Sequence, residues 1–169
     1  MKAAGVILAI FVALVLQTTM TRFLVRGTLA VDLVLVVVVY VALTLGPEVG
    51  LLSGALAGLA QDALSSGIIG IGGLAKTVVG FLAGLVGTQF IVTQSLFRFV
   101  VFFGASVVQA VIFMGLYTLL DLRHFGSPSR PIAWQGLGNA IVGIVAFQIV
   151  EILPGAVERR RAAKHRLRR

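Results

Sequence analysis

Long apolar runs separated by short polar or glycine-rich breaks make up almost the whole chain. The first run covers about Ala3 to Met20, and later runs cover about 74–92, 98–120 and 132–153. Eighteen or more apolar residues are enough to span a bilayer as an α-helix. The β-branched run at 32–47 is also predicted to be helical, since a lone strand in lipid would leave its backbone groups unpaired. With a third helix at about 48–61, the pattern predicts an all-α, polytopic transmembrane bundle of about six helices. Five is the alternative if 32–47 and 48–61 form one broken hairpin.

Composition supports a membrane protein and divides the chain into two parts. Hydrophobic residues make up 59% of the sequence and charged residues 12%, whereas soluble domains are nearer half and a quarter. Pro154 and Gly155 are predicted to end the last helix, which gives an integral membrane domain at 1–155 and a basic tail at 156–169. Seven of the 14 Lys and Arg residues lie at 159–169. A basic segment after a membrane helix favours cytoplasmic placement and contact with anionic lipid, with no nucleic-acid partner.

Charge asymmetry also predicts the orientation. The first apolar run lacks a signal-peptide cleavage site and is expected to stay as an uncleaved helix. Six helices place both termini on one side of the membrane. If that side is the cytoplasm, nine basic residues lie inside and five outside, in agreement with the positive-inside rule. Arg98 is expected to extend its side chain to the cytoplasmic surface.

A stripe of glycines marks the third helix. In GLLSGALAGLAQD, Gly50, Gly54 and Gly58 are four residues apart, so they lie along one slanted face of a helix. Lipid is as apolar as leucine, and membrane helices therefore associate through close packing at small residues. Gly80 and Gly84 repeat the spacing on the fourth helix. The two helices are expected to pack together or against a partner's helix, and both alternatives stay open.

Polar residues within the apolar runs form a second group of candidates. Asp62 continues the glycine stripe, and an intramembrane carboxylate needs a partner. It is expected to cap a short helix that begins at Ala63 or to pair with Lys76, and a role in solute binding is the alternative. Asp32 is predicted to cap the second helix. Gln109 and Asn139 lie within the fifth and sixth helices and need hydrogen bonds between helices.

The sequence lacks the motifs of common catalytic sites. It contains no Ser-His-Asp set, no HExxH, no phosphate-binding loop and no cysteine. We therefore expect no enzymatic activity, no catalytic residue, no metal site and no cofactor.

VDLVLVVVVYVAL followed by GLLSGALAGLAQDALSSGIIGIGGLAKTVVGFLAG closely resembles the MreD family of bacterial rod shape-determining membrane proteins. Val31 stands where family members often have proline. The resemblance implies a non-enzymatic scaffold or adaptor of the inner membrane, within the cell-elongation machinery that synthesises peptidoglycan. The implied partners are the bitopic protein MreC, the actin homologue MreB and the RodA–PBP2 pair.

The family is also similar to the substrate-binding S-components of energy-coupling-factor transporters, which share a six-helix fold. This similarity implies the rival function, a substrate-binding subunit of a vitamin transporter. That function requires polar groups to converge on a pocket near the outer face. The only candidates are Asp62, Lys76, Gln109 and Asn139.

Overall fold

Six α-helices make up the described part of the chain. The computed structural model describes residues 3–23, 31–65, 68–90, 94–121 and 129–166. The helices are α1 (Ala3–Phe23), α2 (Leu33–Leu45), α3 (Pro47–Leu64), α4 (Ile71–Gln89), α5 (Ser95–Leu119) and α6 (Ser129–Arg166). No strand occurs within these ranges. The predicted all-α helical bundle is confirmed, while residues 122–128, between the predicted fifth and sixth helices, lie outside the described residues.

Helix α2 lies at the centre of the bundle and contacts all five other helices. It has 13 residues and is about 20 Å long, whereas the hydrocarbon core of a bilayer is about 30 Å thick. Eight of its residues are buried, as expected of a helix that is apolar on every side. Its neighbours α1, α4, α5 and α6 each contain an apolar stretch of 18 residues or more, long enough to cross a membrane.

The outer surface of the bundle is apolar. On α1, Ile7, Leu8 and Phe11 are each more than 60% exposed, and large apolar side chains are also exposed on α3, α4, α5 and α6. Exposed apolar surface on this scale is rare on soluble monomers. It is the surface expected of a protein surrounded by lipid.

Helices α3 and α4 touch through their backbones, at the glycines of the two stripes. A Cβ atom on Gly50 would overlap the carbonyl oxygen of Gly80, and a Cβ on Gly80 would overlap that of Gly50. Gly54 lies in the same way against the carbonyl of Lys76, and Gly58 lies against Gly73. The stripes of the third and fourth helices therefore face each other within the protein.

The same close contact continues to the turn between α2 and α3. Gly46 forms this turn with a φ of 92°, a conformation that favours glycine. A Cβ on Gly84 of α4 would overlap Pro47 at the start of α3, and a Cβ on Gly87 would lie 2.6 Å from the carbonyl oxygen of Leu43. Small residues along α4 thus allow one helix to pack against both α2 and α3.

Two predicted helix ends are wrong. The apolar run at about 74–92 predicts that α4 begins at about Leu74, but it begins at Ile71 and takes Gly72 and Gly73 into its first turn. We also expected Pro154 and Gly155 to end α6, but the helix continues to Arg166. Residues 156–166 are mainly Ala, Arg, Glu and Lys, which have high helix propensity. The division into a membrane domain and a basic tail stays a prediction.

We predict that Gly54→Ala destabilises the protein and that Gly115→Ala does not. The added methyl group at Gly54 would overlap the backbone of α4, whereas nothing lies within 4 Å of a Cβ on Gly115. Overpacking typically costs about 1–3 kcal/mol, and the helix propensity of alanine favours both variants by about 1 kcal/mol. Thermal unfolding in detergent should give a lower midpoint for Gly54→Ala only. Equal midpoints would contradict the backbone contact.

Candidate functional site

Asp32 lies at the centre of a buried group of polar side chains, where α2 begins. Its Oδ1 caps α2 by accepting a hydrogen bond from Leu35 N at 2.9 Å. Its Oδ2 lies 2.8 Å from Lys76 Nζ on α4, and both side chains are almost fully buried. The alternative that Lys76 pairs with Asp62 is therefore wrong, because the first turns of α4 bring Lys76 to Asp32 instead.

Side chains from α5 and α6 complete this group. Gln109 Nε2 donates to Asp32 Oδ2 at 3.0 Å, and Asp32 N donates to Asn139 Oδ1 at 2.7 Å. Asn139 Nδ2 in turn donates to Ser106 Oγ at 2.8 Å. All of these side chains are buried. We refer to Asp32, Lys76, Ser106, Gln109 and Asn139 as the polar cluster.

The polar cluster joins four helices and is extended to a fifth by Gln17 of α1. Gln17 Nε2 donates to Val31 O at 3.0 Å, and its Oε1 accepts from Leu33 N at 2.9 Å. Neither Gln17 nor Ser106 was among the predicted site residues. Gln17 follows a long apolar stretch of α1, and an isolated amide at such a position is a signal of a bond between helices.

The buried ion pair of Asp32 and Lys76 needs hydrogen bonds to compensate for the cost of burying its charges. A single charge in hydrocarbon costs roughly 2.5–3.5 kcal/mol on insertion scales, and an ion pair compensates for burial only when hydrogen bonds satisfy the remaining atoms. Asp32 accepts bonds from Leu35 and Gln109 in addition to its contact with Lys76. The cluster therefore carries no net charge, and its bonds fix the position of α2 relative to α4, α5 and α6.

Asp62 lies apart from the polar cluster and caps α4 from outside that helix. Its Oδ2 accepts hydrogen bonds from Gly70 N at 2.9 Å and Gly73 N at 3.0 Å. A Cβ on Gly72 would overlap Asp62 Oδ1, so a larger residue at this position would have to displace the carboxylate. A carboxylate is favourable at a helix N-terminus. The prediction that Asp62 caps a helix beginning at Ala63 is wrong, because α3 continues to Leu64.

A cavity of about 320 Å³ lies between Asp62 and the polar cluster. It falls within the size range of small-molecule sites. Its polar walls come from five helices, α2 to α6, and from the end of α3, and they include Asp32, Gln61, Asp62, Ser65, Lys76, Gln109, Tyr117 and Gln135. The structure thus brings Asp62, Lys76 and Gln109 to one cavity, while Asn139 lies behind Asp32. Gln61 and Gln135 were not among the predicted site residues.

Two amide oxygens at this cavity accept no hydrogen bond from the described residues. They are Gln61 Oε1 and Gln109 Oε1, and both are buried. The bond from Gln109 Nε2 to Asp32 Oδ2 fixes which end of this amide is oxygen, because a carboxylate accepts only from the NH₂ group. A buried acceptor without a donor costs about 1–3 kcal/mol.

The polar cluster is suited to holding helices together, and the cavity beside it is suited to binding a polar group. Among the described residues, no group of three or more His, Cys, Asp or Glu side chains could hold a metal ion. Neither the polar cluster nor the cavity wall includes a nucleophile paired with a base of the kind that hydrolases use.

Arg98 differs from its predicted placement. It is buried, with 5% of its surface exposed, and its guanidinium carbon lies 4.4 Å from the centre of the Phe147 ring on α6. The prediction that Arg98 extends to the membrane surface is wrong. A face-on contact with an aromatic ring stabilises a buried guanidinium, and it adds a further link between α5 and α6.

Comparison with known families gives one match. The family described as rod shape-determining protein MreD matches residues 1–155 of the chain. Neither the curated proteins nor the solved structures give a match. The similarity to the S-component fold therefore stays a prediction.

We predict that Lys76→Met destabilises the protein more than Lys76→Met combined with Asp32→Asn. The single variant leaves the buried Asp32 carboxylate without its cation, which typically costs about 3–5 kcal/mol. The double variant removes both charges, and asparagine caps a helix about as well as aspartate. Chemical denaturation in detergent should rank wild type first, then the double variant, then Lys76→Met. A double variant less stable than Lys76→Met would contradict the ion pair.

Proposed function

The chain belongs to the MreD family of rod shape-determining proteins, and on this premise we propose that it is a non-enzymatic scaffold of the cell-elongation machinery. Membership implies a role in the determination of rod shape. The proposed partners are an MreC-like protein with one membrane span, the RodA–PBP2 pair and MreB. The proposed location is the bacterial inner membrane, with both termini in the cytoplasm.

An apolar groove between α4 and α5 is the observation that supports a scaffold most directly. The contact between α3 and α4 covers Gly50, Gly54, Gly58 and Gly80, and the turn between α2 and α3 covers Gly84. They are not accessible to a partner unless these helices separate. The groove has a volume of about 330 Å³ and lies on the outside of the pair, with walls that include Val79, Ala83, Val86, Val101, Gly104 and Val108.

The groove has the properties of a surface that a single membrane-spanning helix contacts. Its walls are apolar along their whole length, and they belong to two helices long enough to cross the membrane. Val101, Gly104 and Val108 lie on one face of α5 at helical spacing. No atom lies within 4 Å of a Cβ on Gly104. A small residue on an exposed face of a membrane helix allows another helix to approach closely.

The last helix supports contact with the cytoplasmic surface of the membrane. Helix α6 has 38 residues and is about 57 Å long, while its apolar stretch covers only Ile132–Val150. The remainder contains most of the basic residues of the tail. In the proposed orientation these residues lie beside anionic headgroups, which attract juxtamembrane Lys and Arg by about 1 kcal/mol each.

Depletion of the protein in a rod-shaped host is expected to make the cells round, because a scaffold of elongation directs wall synthesis along the cell. Light microscopy during depletion measures the ratio of cell length to width. The alternative function, a substrate-binding subunit of a vitamin transporter, predicts normal shape and a growth requirement for the vitamin. Rods that stay normal would therefore contradict the scaffold.

We predict that Gly104→Leu weakens co-purification of the single-span partner and that Gly115→Leu does not. Both glycines lie on α5 with open space at Cβ, but only Gly104 lines the groove. Loss of contacts worth about 1.4 kcal/mol lowers affinity about tenfold. Pull-down from membranes that contain both proteins should give this difference, with equal unfolding midpoints for the two variants. Equal recovery of the partner would place the partner contact elsewhere.

A further inference from the structure

At the cavity between Asp62 and the polar cluster, the buried polar atoms that lack a hydrogen-bond partner among the described residues are acceptors. Gln61 Oε1 and Gln109 Oε1 are buried and accept no hydrogen bond from the described residues. Asp62 Oδ2 accepts two backbone bonds, and no bond to Oδ1 is formed by the described residues. Lys76, in contrast, already contacts Asp32. A ligand that satisfies these buried acceptors has to donate hydrogen bonds.

The charges of the wall favour a cation among such donors. The described wall contains two carboxyl groups, Asp32 and Asp62, and one amino group, Lys76. The Asp32 and Lys76 side chains neutralise each other at 2.8 Å, so Asp62 is left without a cationic partner among the described residues. An ammonium group carries three donors and no acceptor, so it can donate to buried oxygens and balance the charge of Asp62.

Apolar and aromatic side chains make up another part of the wall. Ile68, Phe113 and Met114 line the cavity together with Tyr117. Apolar walls with a few placed polar groups are typical of sites for small organic molecules, and aromatic faces also attract cations. From these observations we propose that the cavity binds a primary amine, with its ammonium group at Asp62, Gln61 and Gln109 and its apolar part against Phe113 and Met114.

This proposal goes beyond the scaffold and does not depend on it. The groove proposed for a partner helix is lined by α4 and by residues 97–108 of α5, whereas the cavity is lined by residues 109–117 of the same helix. A failure to bind amines leaves the groove unaffected. A failure of Gly104→Leu to weaken the partner leaves the cavity unaffected.

The binding test uses the full-length protein in nanodiscs of phosphatidylglycerol, a lipid that has no amine. The probe is n-butylamine, and butanoate is the control with the same chain length and the opposite charge. We expect a saturable rise in the unfolding midpoint with n-butylamine and none with butanoate, because bound ligand stabilises the folded state by mass action.

Variants locate the site. Asp62→Asn should weaken n-butylamine binding about tenfold, while Glu48→Gln, which removes an exposed carboxylate near the other end of α3, should leave it unchanged. Gln61→Leu should weaken binding about fivefold or more, since one neutral hydrogen bond is lost. Its midpoint without ligand should be unchanged or higher, because Gln61 Oε1 has no donor to lose. A purely structural role for Gln61 would lower that midpoint.

A lipid headgroup could supply the same ammonium group, and a second arm separates the two sources. Phosphatidylethanolamine carries an ammonium group, whereas phosphatidylcholine carries a cation without N–H donors. If the lipid is the ligand, the unfolding midpoint of wild type is higher in phosphatidylethanolamine than in phosphatidylcholine. The midpoint of Gln61→Leu is then equal in both lipids. Saturable binding of n-butylamine supports the proposal with a soluble ligand.

Either source supports the site, and two results overturn it. The first is the absence of any amine effect in both arms, which means that the cavity holds only water. The second is binding that Asp62→Asn and Gln61→Leu leave as strong as in wild type, which means that the amine binds elsewhere.

Discussion

Helices α3 and α4 approach until their backbones touch, and the positions of the polar groups depend on that contact. In lipid, apolar side chains provide no net attraction between helices, so backbone contact and hydrogen bonds have to hold the bundle together. The contact places Gly54 against the carbonyl of Lys76 and Gly58 against Gly73. The contact at Gly54 fixes the turn of α4 that carries Lys76, whose side chain reaches Asp32. The contact at Gly58 brings Asp62 to the N-terminus of α4. One packing interaction therefore sets both carboxylate environments.

The central position of α2 explains why its start is polar and its body is not. Every face of α2 meets another helix, so valine and leucine fill its length. Its first turn is also surrounded by protein, and its free N–H groups have no water to bond with. Asp32 and Gln17 satisfy two of these groups, and Asn139 satisfies the N–H of Asp32 itself. A short helix can thus be enclosed in the bundle with the N–H groups of Asp32, Leu33 and Leu35 paired at this end.

Sequence reasoning predicts the helices well and the pairing of polar residues poorly. Apolar runs and four-residue glycine spacing are local patterns, and helix geometry converts them directly into six helices and two striped faces. The partner of Lys76 is not a local property. Asp62 is 14 residues away and Asp32 is 44 residues away, yet the depth of Lys76 in α4 brings it to the farther one. The predicted end of α6 at Pro154 and Gly155 is wrong for a local reason, because the residues that follow have high helix propensity and the helix continues to Arg166.

Specific recognition by a protein of this kind requires features that lipid does not share. An apolar face cannot distinguish a helix from an acyl chain by hydrophobicity, since both are equally apolar. Two features remain. The first is shape, because a glycine lets the backbone of another helix approach closely. The second is a buried polar group without a partner, because a ligand that bonds to it removes the free-energy cost of its burial. The chain places one of each on α5, with Gly104 in the outer groove and Gln109 at the inner cavity. Because Gln109 also bonds Asp32, the cavity wall is fixed to the polar cluster, and a ligand there acts on the same residues that hold α2 in place.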